Sequence, residues 1–325
     1  MKILVLRFSS IGDIVLTSPV TRCLKQQVPG ALVHFATKAA FADLVRYDPH
    51  VDKVHELHGS LCELIDVLRA EHFDQVIDLH HNLRTARIKR ALGIPAHSFP
   101  KLNLEKWLLV NFKYDRLPHM HIVDRYLSTV AHLGVRNDER GLELFIPPER
   151  RVPIAELPPA HAPGYIAIAP GAAHATKQLP LHRWVQLAKL IPGPLIVVGG
   201  TQEQDVARAM VSEVGGRAFD ATGRYDILGS ASLIAGARAV AAHDSGAMHI
   251  AAAFQRPLVS IWGNTVPAFG MGPYMPQHPE RTHIAEVQGL PCRPCSKIGH
   301  ARCPQGHFRC MELQDLPAIA ARLLE

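Results

Sequence analysis

Three stretches of the chain carry residue types at spacings that could do chemistry. The first is RFSSIGDIVLTSP, residues 7–19, where one glycine and one acid stand between two apolar runs. Gly12 permits a tight turn, and the small Ser9 and Ser10 let backbone N–H groups approach a ligand. Asp13 has two readings. An Asp ahead of a helical run ordinarily caps it. Ser18 precedes Pro19, however, and proline favours the first helical turn, so Thr17 or Ser18 caps equally well and leaves Asp13 available as a general base. The second stretch is PGAAHATKQLPLHRW, residues 170–184. Thr176 and Lys177 lie ahead of a helix opening near Pro180, which suits a diphosphate; the plain alternative is an exposed loop lysine. A Walker A loop is absent. The third is HDSGAMHIAAA, residues 243–253. Asp244, Ser245 and Gly246 open a helix whose backbone donors can meet an anion, with His249 on its first turns as a ligand contact or a satisfied helix histidine.

The tail holds Cys292, Cys295, Cys303 and Cys310, with His300 and His307 interspersed. Cys292 and Cys295 have the spacing of a zinc half-site; the second pair, seven positions apart, does not. Metal, packing and local redox all remain open readings. Cys23 and Cys62 fall in helical stretches and read as core.

The elements that position these loops alternate. Strand-like runs cover 2–8, 31–37, 53–57, 73–79, 165–170, 194–200, 239–244 and 258–263, and amphipathic stretches cover 17–28, 39–47, 60–71, 181–191 and 202–214. Short apolar strands alternating with helices imply parallel sheets of an α/β fold. Residues 147–164 contain six prolines and read as a linker. Two domains follow, 1–155 and 156–325, with the last helix a candidate to pack back on the first. Ligands of open α/β sheets bind beyond the carboxyl ends of the strands, which is where the three stretches lie.

Composition sets the limits. With 47% hydrophobic and 20% charged residues in 325, the chain can bury two cores. No apolar run is long enough to span a membrane, and the start lacks the apolar length of a signal peptide, so the expectation is a cytoplasmic protein with reduced thiols. Net charge is +6, and residues 84–116 alone hold eight Lys/Arg against two acids. That stretch is either a solvated basic surface or a site for a polyanion. Nucleic acid is the weaker partner, since aromatic residues are 6% and its usual signatures are missing.

In this order, RFSSIGDIVLTSPV, PGAAHATKQLP and DSGAMHIAAAFQRPLVSIWGNTVP resemble glycosyltransferase family 9, the bacterial heptosyltransferases of lipopolysaccharide core assembly; the PCRPC…CPQGHFRCM tail is similar to that of many members. The resemblance implies a glycosyltransferase-B fold, two Rossmann-like domains with parallel sheets facing a cleft. It implies an N-terminal acceptor domain and a C-terminal domain for the donor, ADP-L-glycero-D-manno-heptose. Asp13 would be the base of an inverting transfer and Lys177 its catalytic partner at the leaving diphosphate. Gly12, Thr176, Lys177, Glu203, Asp244, Ser245, Gly246 and His249 would bind the donor. Arg84 and Arg87 would meet the acceptor, a Kdo or heptose of the anionic lipopolysaccharide precursor, at the cytoplasmic face of the inner membrane. No DxD-like pair is evident, so the expectation is transfer without metal or cofactor. Rival readings are a relative of the same fold using another nucleotide sugar, and a non-catalytic nucleotide-sugar binding protein.

Overall fold

The computed structural model describes residues 1–325. The chain divides into two compact units, one of residues 1–101 and 120–145, the other of residues 102–119 and 146–325.

The first unit begins with β1 (Lys2–Leu6), α1 (Ile11–Val15), α2 (Ser18–Gln27), β2 (Leu32–Lys38), α3 (Asp43–Arg46) and β3 (Lys53–Leu57). It continues through α4 (Leu61–Ala70), β4 (Gln75–Asp78), α5 (Leu83–Leu92) and β5 (Ala96–Ser98). The chain then contributes α6 (Asn103–Phe112) to the second unit and α7 (Ile122–Leu127) to the first. All strand pairs are parallel, in the order β3-β2-β1-β4-β5. The central strands are apolar and buried because helical crossovers cover both faces of a parallel sheet. Leu4, Leu6, Ala36 and Val76 from the sheet meet Leu64, Leu68 and Ile88 from α4 and α5.

The second unit holds β6 (Ile166–Ala169), α8 (Leu181–Leu190), β7 (Leu195–Val197), α9 (Gln204–Val214), β8 (Ala218–Asp220), α10 (Ile227–Gly236) and β9 (Ala239–His243). Then come α11 (Gly246–Ala253), β10 (Leu258–Trp262), β11 (Thr282–Glu286), α12 (Arg309–Glu312) and α13 (Leu316–Leu324). Its sheet is again parallel, ordered β11-β10-β9-β6-β7-β8.

All eight expected strands are present. The three that the pattern did not show, β5, β8 and β11, are sheet edges. Each is short or half polar (AHS, AFD, THIAE), so no continuous apolar run marks it. The units part ten residues before the expected boundary, after Phe145, and residues 102–119 join the second. Leu109 and Leu117 account for that assignment by packing with Phe269. Leu316, Ile319, Ala320 and Leu323 of α13 bury into the core beneath the second sheet, each Leu or Ile contributing roughly 1.5–3 kcal/mol. Within the 147–164 linker lie three isolated 3-10 turns and no longer element. Cys23 is buried as expected, but Cys62 is exposed on α4.

Candidate active site

In the first unit β1 and β4 are neighbours, and the chain leaves the pair toward opposite edges of the sheet. The loop after β1 therefore opens at a topological switch point, the ordinary ligand position of such sheets. A helix starts there earlier than the sequence suggested. Ser10 is the N-cap of α1 and Asp13 its third residue, while Thr17 caps α2 with Pro19 in the first turn. Asp13 is thus not freed from capping. Its Oδ2 accepts from the Ser10 backbone N at 3.1 Å and the Ser10 hydroxyl at 2.8 Å, closing a capping box.

The same oxygen forms an ion pair with Arg7 at 2.7 Å. Arg7, a residue the sequence reading passed over, is 8% exposed and also donates to the carbonyls of Ser9 and Leu79 and the Tyr126 hydroxyl. Burial opposes its charge, but Tyr126 and Asp13 more than offset this and raise its pKa. Gly12 is buried inside α1, and its carbonyl accepts from Leu16 N at 2.9 Å.

Beside this loop the Arg84 guanidinium lies over the Phe8 ring, 5.4 Å from its centroid. Arg87 stands exposed one turn further along α5. Lys89 leaves the basic surface, because its Nζ meets the fully buried Asp78 at 2.8 Å. The His80 ring packs edge-on against Phe8. Burial, then the Arg7 charge, push the His80 pKa down to about 4, so the imidazole is neutral.

In the second unit the switch point lies between β6 and β9, and the loops after those two strands carry the other expected residues. They meet directly. Lys177 Nζ and Asp244 Oδ2 are 2.5 Å apart, both largely buried, and the Thr265 hydroxyl donates to the same carboxylate oxygen at 2.9 Å. The loops are tied once more by His243, whose Nε2 accepts from Leu179 N at 2.8 Å. Burial drives the His243 pKa down to about 3, which keeps that acceptor lone pair available. Ser245 caps α11 and Gly246 is its first residue; the Ser245 hydroxyl is buried without a protein partner. His249, 2% exposed, lies on the same helix.

Thr176 is turned toward the tail. Its backbone N and hydroxyl both meet the His300 carbonyl at 3.2 Å, and the hydroxyl accepts from His300 N at 2.8 Å. Glu203 accepts from Gly200 N at 2.8 Å, capping the turn after β7, and lies against Gly171, where a Cβ would come within 2.8 Å of its carboxylate. Between Gly171 and α8 the chain makes only a 3-10 turn, Ala175–Lys177. Beyond the second loop the chain enters α11 directly, with Ser245 at its N-cap. Gly263 allows the close fit: a Cβ there would sit 2.6 Å from the Thr176 carbonyl.

One set of metal-type ligand atoms, from His34, His55 and Glu71, lies within 4.8 Å. It is already satisfied. The two imidazoles hydrogen-bond each other at 3.0 Å, and Glu71 pairs with Lys2 at 3.0 Å and with Lys53.

The family model of glycosyltransferase family 9 (heptosyltransferase) matches residues 61–301. The chain belongs to that family. It is a glycosyltransferase enzyme with a glycosyltransferase-B fold. The chain is similar to lipopolysaccharide heptosyltransferase 2 of Salmonella typhimurium, with 26% identity over 83% of this chain and 84% of that one. It is also similar to lipopolysaccharide heptosyltransferase 1 of Pseudomonas aeruginosa, with 25% identity over 91% and 86%. Among solved structures, the ADP-heptose lipopolysaccharide heptosyltransferase II of E. coli shares the fold with a TM-score of 0.73 at 21% identity, covering 100% of this chain and 99% of that one.

Proposed function

We propose that this glycosyltransferase moves a heptose from ADP-L-glycero-D-manno-heptose to a Kdo or heptose of the lipopolysaccharide inner core, with inversion. The relatives named above are heptosyltransferases of lipopolysaccharide, which supports donor and acceptor class alike. The single observation that carries the reading is the join between the loops after β6 and β9, where Lys177 meets Asp244 at the N-terminus of α11. Asp244 holds the ammonium in place. Its remaining N–H donors and the backbone N–H groups of α11 form a cradle for a diphosphate.

The acceptor hydroxyl oxygen attacks the anomeric carbon while the bond from that carbon to the ADP phosphate oxygen breaks. Lys177 and the start of α11 stabilise the charge that collects on the leaving diphosphate. Asp13 takes the hydroxyl proton. Its ion pair with Arg7 and its contacts with Ser10 hold the carboxylate in place for that step. Arg84 and Arg87, on the α5 turns beside that loop, pair with phosphate or carboxylate groups of the acceptor. Transfer requires no metal or cofactor and takes place at the cytoplasmic face of the inner membrane.

Calorimetric titration with ADP and UDP, repeated on Lys177→Ala, tests this reading. ADP binding that weakens in the variant supports it and leads to transfer assays with ADP-heptose. A preference for UDP, or no nucleotide binding, rejects the donor assignment.

A further inference from the structure

The tail residues that the sequence left open come together beside the loop after β6. Cys292, Cys295, Cys303 and Cys310 are free thiols lining one cavity of about 10 Å³, together with His307, Thr176 and Asn264. That volume holds about one water-sized sphere. Asn264 is 1% exposed, and neither its amide nitrogen nor its amide oxygen finds a hydrogen-bond partner. A buried amide costs roughly 1–3 kcal/mol when unpaired, so this side chain marks the cavity as a place for a further group.

The backbone around the cavity is pinned from several sides. Cys295 N donates to the Asn264 carbonyl at 3.2 Å, and the Cys292 sulfur is 3.9 Å from His307 Nε2. Arg293, between the first two cysteines, donates to the carbonyls of Gly263, Thr265 and Val287 and pairs with Glu286 at 2.8 Å. Its guanidinium is thereby fixed at the edge of the cavity, where its charge favours the Cys310 thiolate while burial opposes it.

We propose that Cys292, Cys295, Cys303 and Cys310 ligate one thiophilic metal ion, zinc or iron, and that this knot fastens the tail to the loop bearing Thr176 and Lys177. No three of the sulfurs lie mutually within 4.8 Å. Entry of the ion draws them toward the separation of about 3.8 Å that a tetrahedral site with metal–sulfur bonds of about 2.3 Å requires. Each thiol gives its proton to solvent as it ligates. The Asn264 amide N–H is then placed to donate to a coordinated sulfur, an outer contact that orients ligands. The link to the loop is the set of Thr176–His300 hydrogen bonds, with the His300 Nε2 held in turn by the Cys295 carbonyl at 3.2 Å.

The test uses the full chain, expressed with zinc and iron available and purified without chelator. Elemental analysis should find about one zinc or iron per chain, and a strong visible thiolate-to-iron band distinguishes the second metal from the first. Cys292→Ser with Cys295→Ser should lower the content to under a tenth, whereas Cys62→Ser, on α4, should leave it unchanged. Cys292→His keeps a ligand and should retain metal, which guards against a double variant that fails to fold. Chelation of the wild-type protein should expose tail thiols to Ellman's reagent and speed amide exchange at residues 174–177. Protein reduced under anaerobic conditions that takes up neither metal at tenfold excess overturns the proposal. So does binding that survives in a folded double variant, or tail cysteines that remain as stable disulfides through that reduction.

Discussion

The loops at the two switch points solve opposite problems. In the first unit, Asp13 is held by Arg7 and by both donors of Ser10, inside a capping box that forms as soon as β1 ends. In the second unit, two loops are clamped by Lys177–Asp244 and Leu179–His243, yet the buried Ser245 hydroxyl and Asn264 amide have no partner. The first loop has its local polar needs met within the protein. The second carries unmet ones at the N-terminus of α11 and beside the tail cavity. The contrast fits the proposed roles: a proton acceptor gains from fixed geometry, and a nucleotide cradle gains from partners left to the ligand.

The largest effect should come from breaking the first loop's chemistry while keeping its shape. Asp13→Asn is expected to lower kcat by about 10²–10⁴-fold, the usual worth of a general base, with little change in donor affinity. Both variants leave Arg7 buried without its carboxylate, and Asp13→Ala should lose further thermal stability because it also removes the acceptor that caps α1. Near-normal turnover in Asp13→Asn would reduce Asp13 to its cap. Lys177→Ala comes next. Loss of one charged donor at a leaving group costs about 10²–10³ in kcat, here with weaker ADP binding. In combination with Asp244→Asn the losses should fall short of additive, since each residue acts through the other; full additivity would dissolve the pair.

How much of this was legible is itself uneven in the same way. The loops of all three stretches and the eight expected strands, every central one among them, follow from apolar runs and from glycines and acids at strand ends. What the pattern hid was partnership. Nothing in RFSSIGD shows that Arg7 turns back onto Asp13, because that contact needs β1 to end and α1 to start within a few residues. His243 reads as a polar residue closing an apolar strand; its acceptor role exists only once Leu179 arrives from 64 positions away. The edge strands β5, β8 and β11 were missed because burial there depends on neighbours far along the chain.

Acid should separate the units. His80 and His55 are held down to about 4 by burial, with His34 lowered as well, all in the first unit; His243, down to about 3, is in the second. These folded values lie below the unfolded value near 6.5. Above pH 6.5 both states are neutral and nothing is lost. As pH falls from 6.5 to about 4 the unfolded chain takes protons that the native one refuses, costing up to roughly 1.4 kcal/mol per pH unit for each histidine. The first unit should therefore loosen first. All three tryptophans, Trp107, Trp184 and Trp262, are in the second unit, so circular dichroism should change at a higher pH than tryptophan fluorescence. Coincident transitions would reject the difference.

Smaller still is the effect expected at α5. Reversing Arg84 and Arg87 to Glu should raise the acceptor KM about tenfold and leave ADP affinity unchanged, since exposed ion pairs are worth about 1 kcal/mol or less each. An unaltered acceptor KM would remove these arginines from the acceptor site.

The smallest expected change tests the unmet partners themselves. Ser245→Ala deletes a buried hydroxyl that has nothing to bond in the protein, so without ligand the variant should be as stable as the wild type or more so, by under about 1 kcal/mol. With ADP present the sign should reverse. If the hydroxyl waits for a phosphate oxygen, its loss weakens ADP binding by about three- to tenfold, the worth of one neutral hydrogen bond, and the ligand-induced rise in Tm shrinks accordingly. A variant that is destabilised without ligand and binds ADP normally would show that Ser245 serves the start of α11 alone. The contrast between a self-satisfied loop and one completed by its ligand would then rest on Asn264 only.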